Sequence, residues 1–417
     1  MSRIAVIGSG ISGLSAAWLL SRQHEVTLFE KEGRLGGHTH TQTVRTAQGD
    51  RAVDTGFIVH NRPTYPHFCR LMEELGIDSV PSDMSFAAQG VAFPWCSRGL
   101  NGLFCERRHL VQPRFYRLWA EVLRFNREAP ALLSEPGAER WTLGAWLDAK
   151  GYGQAMRENY LLPMAGAVWS TTVADMEAFP ALTLVRFFRN HGFLGVTTQH
   201  PWRTIPGGTG RYIPKLIAPL GDRIVTGARI GGIRRDAAGV TVALEGQGDL
   251  RFDHVVLAVH GDQTLSLLAD ATPLEREVLG AFRSNPSPAV LHTDTGLLPK
   301  HRRAWASWNY RHHREAGRLL LTYHMNRLQP LRTATDVFVT LHGEDGIDPA
   351  KVQARMAYEH PRYDLAALAS QARWAEVSGP RSHHGRTHFA GAYWMYGFHE
   401  DGLNSGIRVA RDLGVAW

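Results

Sequence analysis

The chain of 417 residues is 44% hydrophobic and 10% aromatic, enough apolar material for a large core and about two to three domains' worth of fold, which excludes a disordered chain. The formal charge of +7 rests on arginine, with lysine only at Lys31, Lys150, Lys215, Lys300 and Lys351. The arginines are scattered with no nucleic-acid motif among them, so no nucleic-acid partner is expected. No apolar run approaches the ~18 residues of a membrane span, and Met1-Ser2-Arg3 leads into a run too short for a secretory signal. The cysteines, Cys69, Cys96 and Cys105, form no disulfide framework and no Cys/His spacing suits zinc, so the expectation is a cytoplasmic protein without a metal.

Arg3–Ile7 reads as a short buried strand. Gly8-Ser9-Gly10-Ile11-Ser12-Gly13 follows, then a helix over 14–20 and a second strand over Glu25–Glu30. This is the βαβ opening of a doubly wound sheet. Between about residues 81 and 202 the texture turns helical. Phe115, Leu118, Trp119, Val122 and Leu123 recur at helical spacing, and 143–147 and 156–162 look alike. Strands follow over 224–233, 240–244 and 254–259, returning to the nucleotide-binding sheet. Runs rich in β-formers at 289–292, 319–323 and 337–341 suggest a second sheet. A short strand at 388–391 and a helix over 402–413 end the chain.

The three glycines of the first turn have separate tasks. Gly8 makes the tight turn, Gly10 admits a pyrophosphate close to the backbone, and Gly13 lets helix and strand pack. The helix N-terminus, with Ser12 in its first turn, presents free N–H groups and partial positive charge to phosphates. Glu30 lies about twenty residues past Gly10, where a carboxylate receives ribose hydroxyls.

Glu30-Lys31-Glu32-Gly33-Arg34-Leu35-Gly36-Gly37 resembles the E-x-x-x-R-x-G-G segment of flavin amine oxidases, phytoene desaturases and protoporphyrinogen oxidases. The resemblance implies FAD, with Arg34, Gly36 and Gly37 along its pyrophosphate and ribityl chain and Lys31 in the same segment. Asp54-Thr55-Gly56-Phe57 resembles the D-x-G segment of these proteins, and residues 206–210 and 225–233 resemble the glycine turn and the strand, here with Ile230, whose backbone reads adenine. His388-Phe389-Ala390-Gly391-Ala392 resembles the family's C-terminal strand, Ala392 standing where an acidic or polar residue is usual. The stretch from Gly397 to Gly406, with Asp401, Gly402 and Leu403, resembles the helix that aims at the flavin pyrimidine ring. That segment has no cysteine, so the FAD is expected to be non-covalent. A single dinucleotide fingerprint speaks against a built-in NAD(P)H domain. Closer still, 54–59, 291–294, 305–310, 325–329 and 397–402 look like a bacterial amine-oxidase-like subgroup associated with cyclopropane-synthase-like, lipid-modifying enzymes.

The expected fold is α/β: a discontinuous, Rossmann-type FAD-binding domain from 1–80, 203–270 and 380–417, and a mixed α+β substrate domain from 81–202 and 271–379. The expected activity is that of an FAD-dependent oxidase, dehydrogenase or desaturase removing hydride from an apolar, fatty-acyl or lipid substrate. Electrons would pass to oxygen or a separate acceptor, with a lipid-modifying enzyme as a further candidate partner. A flavin amine oxidase, and a non-redox flavin isomerase or FAD-binding accessory protein, stand as alternatives.

His292 lies on the strand corresponding to the one that carries a lysine near the flavin in many amine oxidases, and is the candidate catalytic replacement; the other reading is a core histidine. Phe398, with Tyr396 and Trp394 nearby, falls near one wall of the amine oxidase aromatic cage, or simply packs. For His38 and His40, just after Gly37, two readings stand, near the flavin or facing solvent, the second being favoured, and for Asp401 capping of the final helix stands beside a functional role. Arg107, Arg108, Arg114, Arg117, Arg124 and Arg127 flank the helix around Phe115 and Trp119. Two readings stand for it: a peripheral contact with the inner membrane face, or a packed helix with a solvated charged side.

Overall fold

The computed structural model describes residues 1–195, 198–312 and 319–417. Five parallel strands form the first sheet, in the order Thr387–Phe389, His254–Leu257, Arg3–Ile7, Glu25–Glu30 and Ile224–Thr226. Strands covered on both faces need continuous apolar runs, and Ile4, Ala5 and Val6 are fully buried at the centre. All ten residues of helix Ile11–Leu20 are buried, because it lies between this sheet and the C-terminal helix His399–Asp412. That close crossing requires glycines. A Cβ on Gly406 would lie 2.1 Å from Ser15 Oγ, and one on Gly402 2.6 Å from Ile11 Cγ2. The two ends of the chain therefore meet, Trp18 standing edge-on to Trp417 at 5.9 Å.

The run at 224–233 is not one strand. Gly227, at φ +65°, breaks it, sending Ile224–Thr226 into the parallel sheet and Ile230–Asp236 into a three-stranded antiparallel meander with Gly239–Leu244 and Gly248–Phe252. The second large sheet has seven strands in the order Val352–Arg362, Arg283–His292, Phe338–Leu341, Leu319–His324, Trp308–His312, Phe86–Gln89 and Trp95–Cys96. It reaches beyond the β-rich region of the sequence at both ends. Its eleven-residue strand Val352–Arg362 is half-exposed and mixed in polarity, so no apolar run announces it.

The stretch between these sheets is helical, as expected. It contains Pro113–Glu128, Leu143–Ala149, a continuous run from Gln154 to Trp169 with a π-turn at Arg157–Leu161, Val173–Ala178 and Ala181–Asn190. Among the described residues no helix is long and apolar enough to cross a membrane, and the three cysteines are free thiols.

Candidate active site

The glycine turn has the geometry its spacing implies. Gly8 sits at φ +99°, where a Cβ would meet Ala258 O at 2.7 Å, and a Cβ on Gly13 would lie 1.9 Å from Gly8 O. Gly10 differs. Its backbone is ordinary (φ −64°, ψ 175°), and among the described residues beyond its chain neighbours no atom lies within 4 Å of where its Cβ would be and no side chain caps the helix that follows. The turn is thus closed on the protein side and open in front of a free helix N-terminus. Glu30 is pinned beside it: Oε2 accepts from Ser9 N (2.9 Å) and Ser9 Oγ (2.6 Å), and Oε1 from Glu32 N (2.9 Å).

The following loop folds back over this opening. Gly36 N donates to Ser9 O (3.0 Å), Arg34 donates to Gly37 O (2.9 Å), and a Cβ on Gly37 would lie 3.0 Å from Gly10 Cα. Ala228 N donates to Glu30 O (2.8 Å), which brings the start of the Ile230 strand alongside Glu30. Lys31 is exposed.

Thr55, Gly56 and Phe57 run against the Gly37 turn: Thr55 N bonds His40 O and Phe57 N bonds His38 O, both at 2.9 Å, leaving no room for a Cβ on Gly56. Asp54 clamps the segment. It accepts from Thr41 Oγ1 (2.6 Å), Thr209 N (2.9 Å) and Gln329 Nε2 (2.8 Å), and burial pushes its carboxyl up to about 6. Phe57 in turn stacks on His399 at 3.7 Å, and His399 Nε2 meets Tyr212 OH at 2.9 Å.

Gly391 N donates to Ser405 Oγ (2.9 Å), tying Gly391 and Ala392 to the C-terminal helix, whose Gly402 and Leu403 turn lies against Ile11 and Ser12. That helix begins at His399, three residues before the sequence-based start, because Asp401 Oδ2 accepts from Phe398 N at 2.9 Å. The Asp401 carboxylate is therefore engaged in its own cap, and burial, with Glu400 adding, pushes it up to about 7. Glu400 caps a different helix, Pro66–Glu74, receiving His67 N and Phe68 N at 2.9 Å each.

One expectation is corrected. His38 and His40 do not simply face solvent. The His38 ring lies 5.1 Å from Tyr358, 5.2 Å from His360 and 6.0 Å from His260, and His40 Nδ1 meets Tyr358 OH at 3.0 Å. Burial, reinforced by His360 and His260, holds the His38 imidazole well below its usual range. Tyr358 and His360 were beyond sequence reasoning because their strand was; the alternation of Met356, Tyr358 and His360 is the signal that would have found them.

His292 is apart from this assembly. Tyr358 pairs with Ser287, and His292 lies five residues farther along the same strand, about 17 Å away. Its Nε2 meets Thr340 Oγ1 at 2.7 Å and its Nδ1 accepts from Asp294 N at 3.1 Å, so both ring nitrogens are engaged in holding the sheet. His292→Ala is expected to lower unfolding stability by about 2–3 kcal/mol, by cavity formation and loss of its hydrogen bond to Thr340, whose hydroxyl keeps only Thr322 as partner, and to leave the rate of flavin reduction unchanged. Thermal melts and single-turnover kinetics check both halves. Trp394, finally, packs inward on Phe282 at 4.7 Å, away from Phe398.

Phe398 and Tyr396 are brought together with the helical layer. Phe398 stacks on Phe187 at 4.7 Å and lies 6.0 Å from Trp169, whose Nε1 donates to Tyr396 O at 3.0 Å. Both are half-buried, and the exposed Arg186 reaches the Tyr396 hydroxyl. This wall directly precedes the C-terminal helix that meets the glycine turn.

The residues fit an FAD. The open space at Gly10, the uncapped helix N-terminus, the fixed Glu30 carboxylate and the buried Nε2 of His38 and Nδ1 of His360, without a partner among the described residues, are features that a bound dinucleotide completes. Fold and site together define the class, a dinucleotide-cofactor protein with a flavin cradle. The particular family follows from comparison: the model for flavin-containing amine oxidoreductases matches residues 11–414, and the chain belongs to that family of FAD-dependent oxidoreductases. The AofH protein of Mycobacterium tuberculosis is 28% identical over 268 residues, covering 61% of this chain and 56% of that protein. Dog amine oxidase [flavin-containing] A is 28% identical over 240 residues, covering 54% and 43%. The chain thus spans about half the length of the curated relatives it matches. Among solved structures, a putrescine oxidase variant superposes with TM-score 0.74 at 16% identity (99% of this chain, 98% of that one). A fatty acid isomerase from P. acnes superposes with TM-score 0.69 at 17% identity, covering 98% of each. These likenesses establish the fold.

Proposed function

We propose that this chain is an FAD-dependent oxidoreductase that takes hydride from an apolar substrate headed by an acid, a fatty-acyl compound being the class that fits. The observation that carries this reading is the aromatic wall of Phe398, Phe187 and Trp169, with Arg186 at the Tyr396 hydroxyl and Arg189 one turn on. An alkyl chain gains by leaving water against the half-buried Phe398 and Tyr396, which Phe187 and Trp169 back from inside, and a guanidinium at their rim attracts a carboxylate and repels an ammonium ion. FAD, when bound, accepts the hydride. Gly10, Ser12, Glu30, Arg34 and Gly37 would hold it, and the C-terminal helix N-terminus favours the negative charge of its reduced form. A second reading, amine oxidation, is favoured by what the names of the relatives and of several structural neighbours say those proteins act on.

Anaerobic addition of fatty acids, acyl-phospholipids and amines to the flavoprotein separates the two. Bleaching by fatty acids alone is the expected result; bleaching by amines alone would overturn the reading. Arg186→Ala is expected to raise the half-saturating fatty-acid concentration about tenfold, the weight of one exposed charge-assisted contact, and to leave the limiting rate of bleaching unchanged. Rapid-mixing absorbance at several substrate concentrations reads both quantities.

A further inference from the structure

Eight large hydrophobic side chains are exposed among the described residues, and five of them, Leu100 (75%), Leu110, Val111 (83%), Tyr116 and Leu123, fall in one stretch of the helical layer. Helix Pro113–Glu128 buries Phe115, Leu118, Val122 and Phe125 inward, so its outer side should be polar. Instead Tyr116 faces outward and lines a groove with Leu110, Val111 and Pro113. The acids of the region are already engaged: Glu106 with Arg108, Glu128 with Arg124 and Arg127, and Glu121 with Gly153 N at 2.6 Å. Among the described residues Arg107 bonds neutral acceptors, Asn101 and the Phe104 carbonyl. Arg98, Arg107, Arg114 and Arg117 are exposed and, among the described residues, have no ion-pair partner, so their charge surrounds the exposed apolar tip.

We propose that residues 98–123 form a docking surface for an anionic lipid bilayer, with Leu110 and Val111 entering the headgroup–acyl boundary and the four arginines on the lipid phosphates. An interfacial membrane element sets basic side chains next to inserted apolar residues, and the uncancelled positive charge here complements anionic headgroups. The inference goes beyond the substrate reading and does not depend on it.

The test is co-sedimentation of the full flavin-loaded chain with vesicles of equal phosphatidylglycerol and phosphatidylcholine, and with pure phosphatidylcholine vesicles. Binding is expected only to the anionic vesicles, weakening as salt rises. At about 1 kcal/mol for each arginine near the surface, Arg114→Gln with Arg117→Gln should lower partitioning about 30-fold. Val111→Asp should abolish insertion, and neither variant should change the circular dichroism spectrum, since all three side chains are exposed. Equal binding to both vesicle types, anionic binding untouched by both variants, or a dimer that Val111→Asp dissociates in the absence of any vesicle binding would overturn the proposal.

Discussion

A Gly10→Val protein is expected to purify folded and colourless. Gly10 has a backbone conformation that any residue adopts, and among the described residues beyond its chain neighbours no atom lies within 4 Å of its absent Cβ. The protein itself therefore has no need of glycine there; only a ligand does. A branched side chain would fill the space in front of the helix N-terminus where a pyrophosphate approaches. The expected result is a native circular dichroism spectrum and a loss of FAD affinity of about a hundredfold or more, some 3 kcal/mol. Gly13→Ala provides the contrast. Its methyl group would lie 1.9 Å from Gly8 O, so the turn must open and stability falls with binding. Titration of the apoproteins with FAD, followed by flavin fluorescence and by thermal melting, separates these effects. A Gly10→Val protein carrying stoichiometric flavin would place the pyrophosphate elsewhere.

Acid is expected to unfold the protein cooperatively between about pH 6 and 4. Six buried histidines are held neutral by burial: His60, His191, His292 and His324 are lowered to about 4, and His388 and His399 to about 3. In the unfolded chain each titrates near 6.5, so between that pH and the folded value the unfolded state binds more protons and stability falls as pH falls. At pH 5 each histidine costs about 2 kcal/mol; even at half that weight the six cost about 6 kcal/mol, comparable with the ~5–15 kcal/mol that holds a folded protein together. Asp401 and Asp54 act in the opposite direction. Raised to about 7 and about 6, they bind protons in the folded state first and so add stability as pH falls from 7 to 5. Their joint recovery is about a third of the histidine loss, and the histidines prevail. Near-UV circular dichroism across pH 8 to 3 at constant ionic strength reads the transition. A fully native protein at pH 4 would refute it.

The sequence by itself determined what depends on near neighbours. Gly8, Gly10, Gly13 and Glu30 lie within one strand–turn–helix–strand unit, where φ, close approach and strand length are all local constraints, and the structure sets them as their spacing requires. The helical character of 113–190 was likewise legible, because a buried stripe at helical period is written in consecutive residues. Tertiary structure alone decided what those elements meet. His38 finds Tyr358 and His360 some three hundred residues away, on a strand with no apolar run to mark it. Glu400 and Asp401 are adjacent in sequence, yet one caps the helix at His67 and the other its own. Arg186 reaches Tyr396 only because the Ala181–Asn190 helix packs beside Phe398, and His292, apt in residue type for proton transfer, is held within its sheet by Thr340 and the Asp294 N–H. Periodicity records which side of an element is buried; it holds no record of the partner, which is chosen by the packing of surfaces brought together over hundreds of residues.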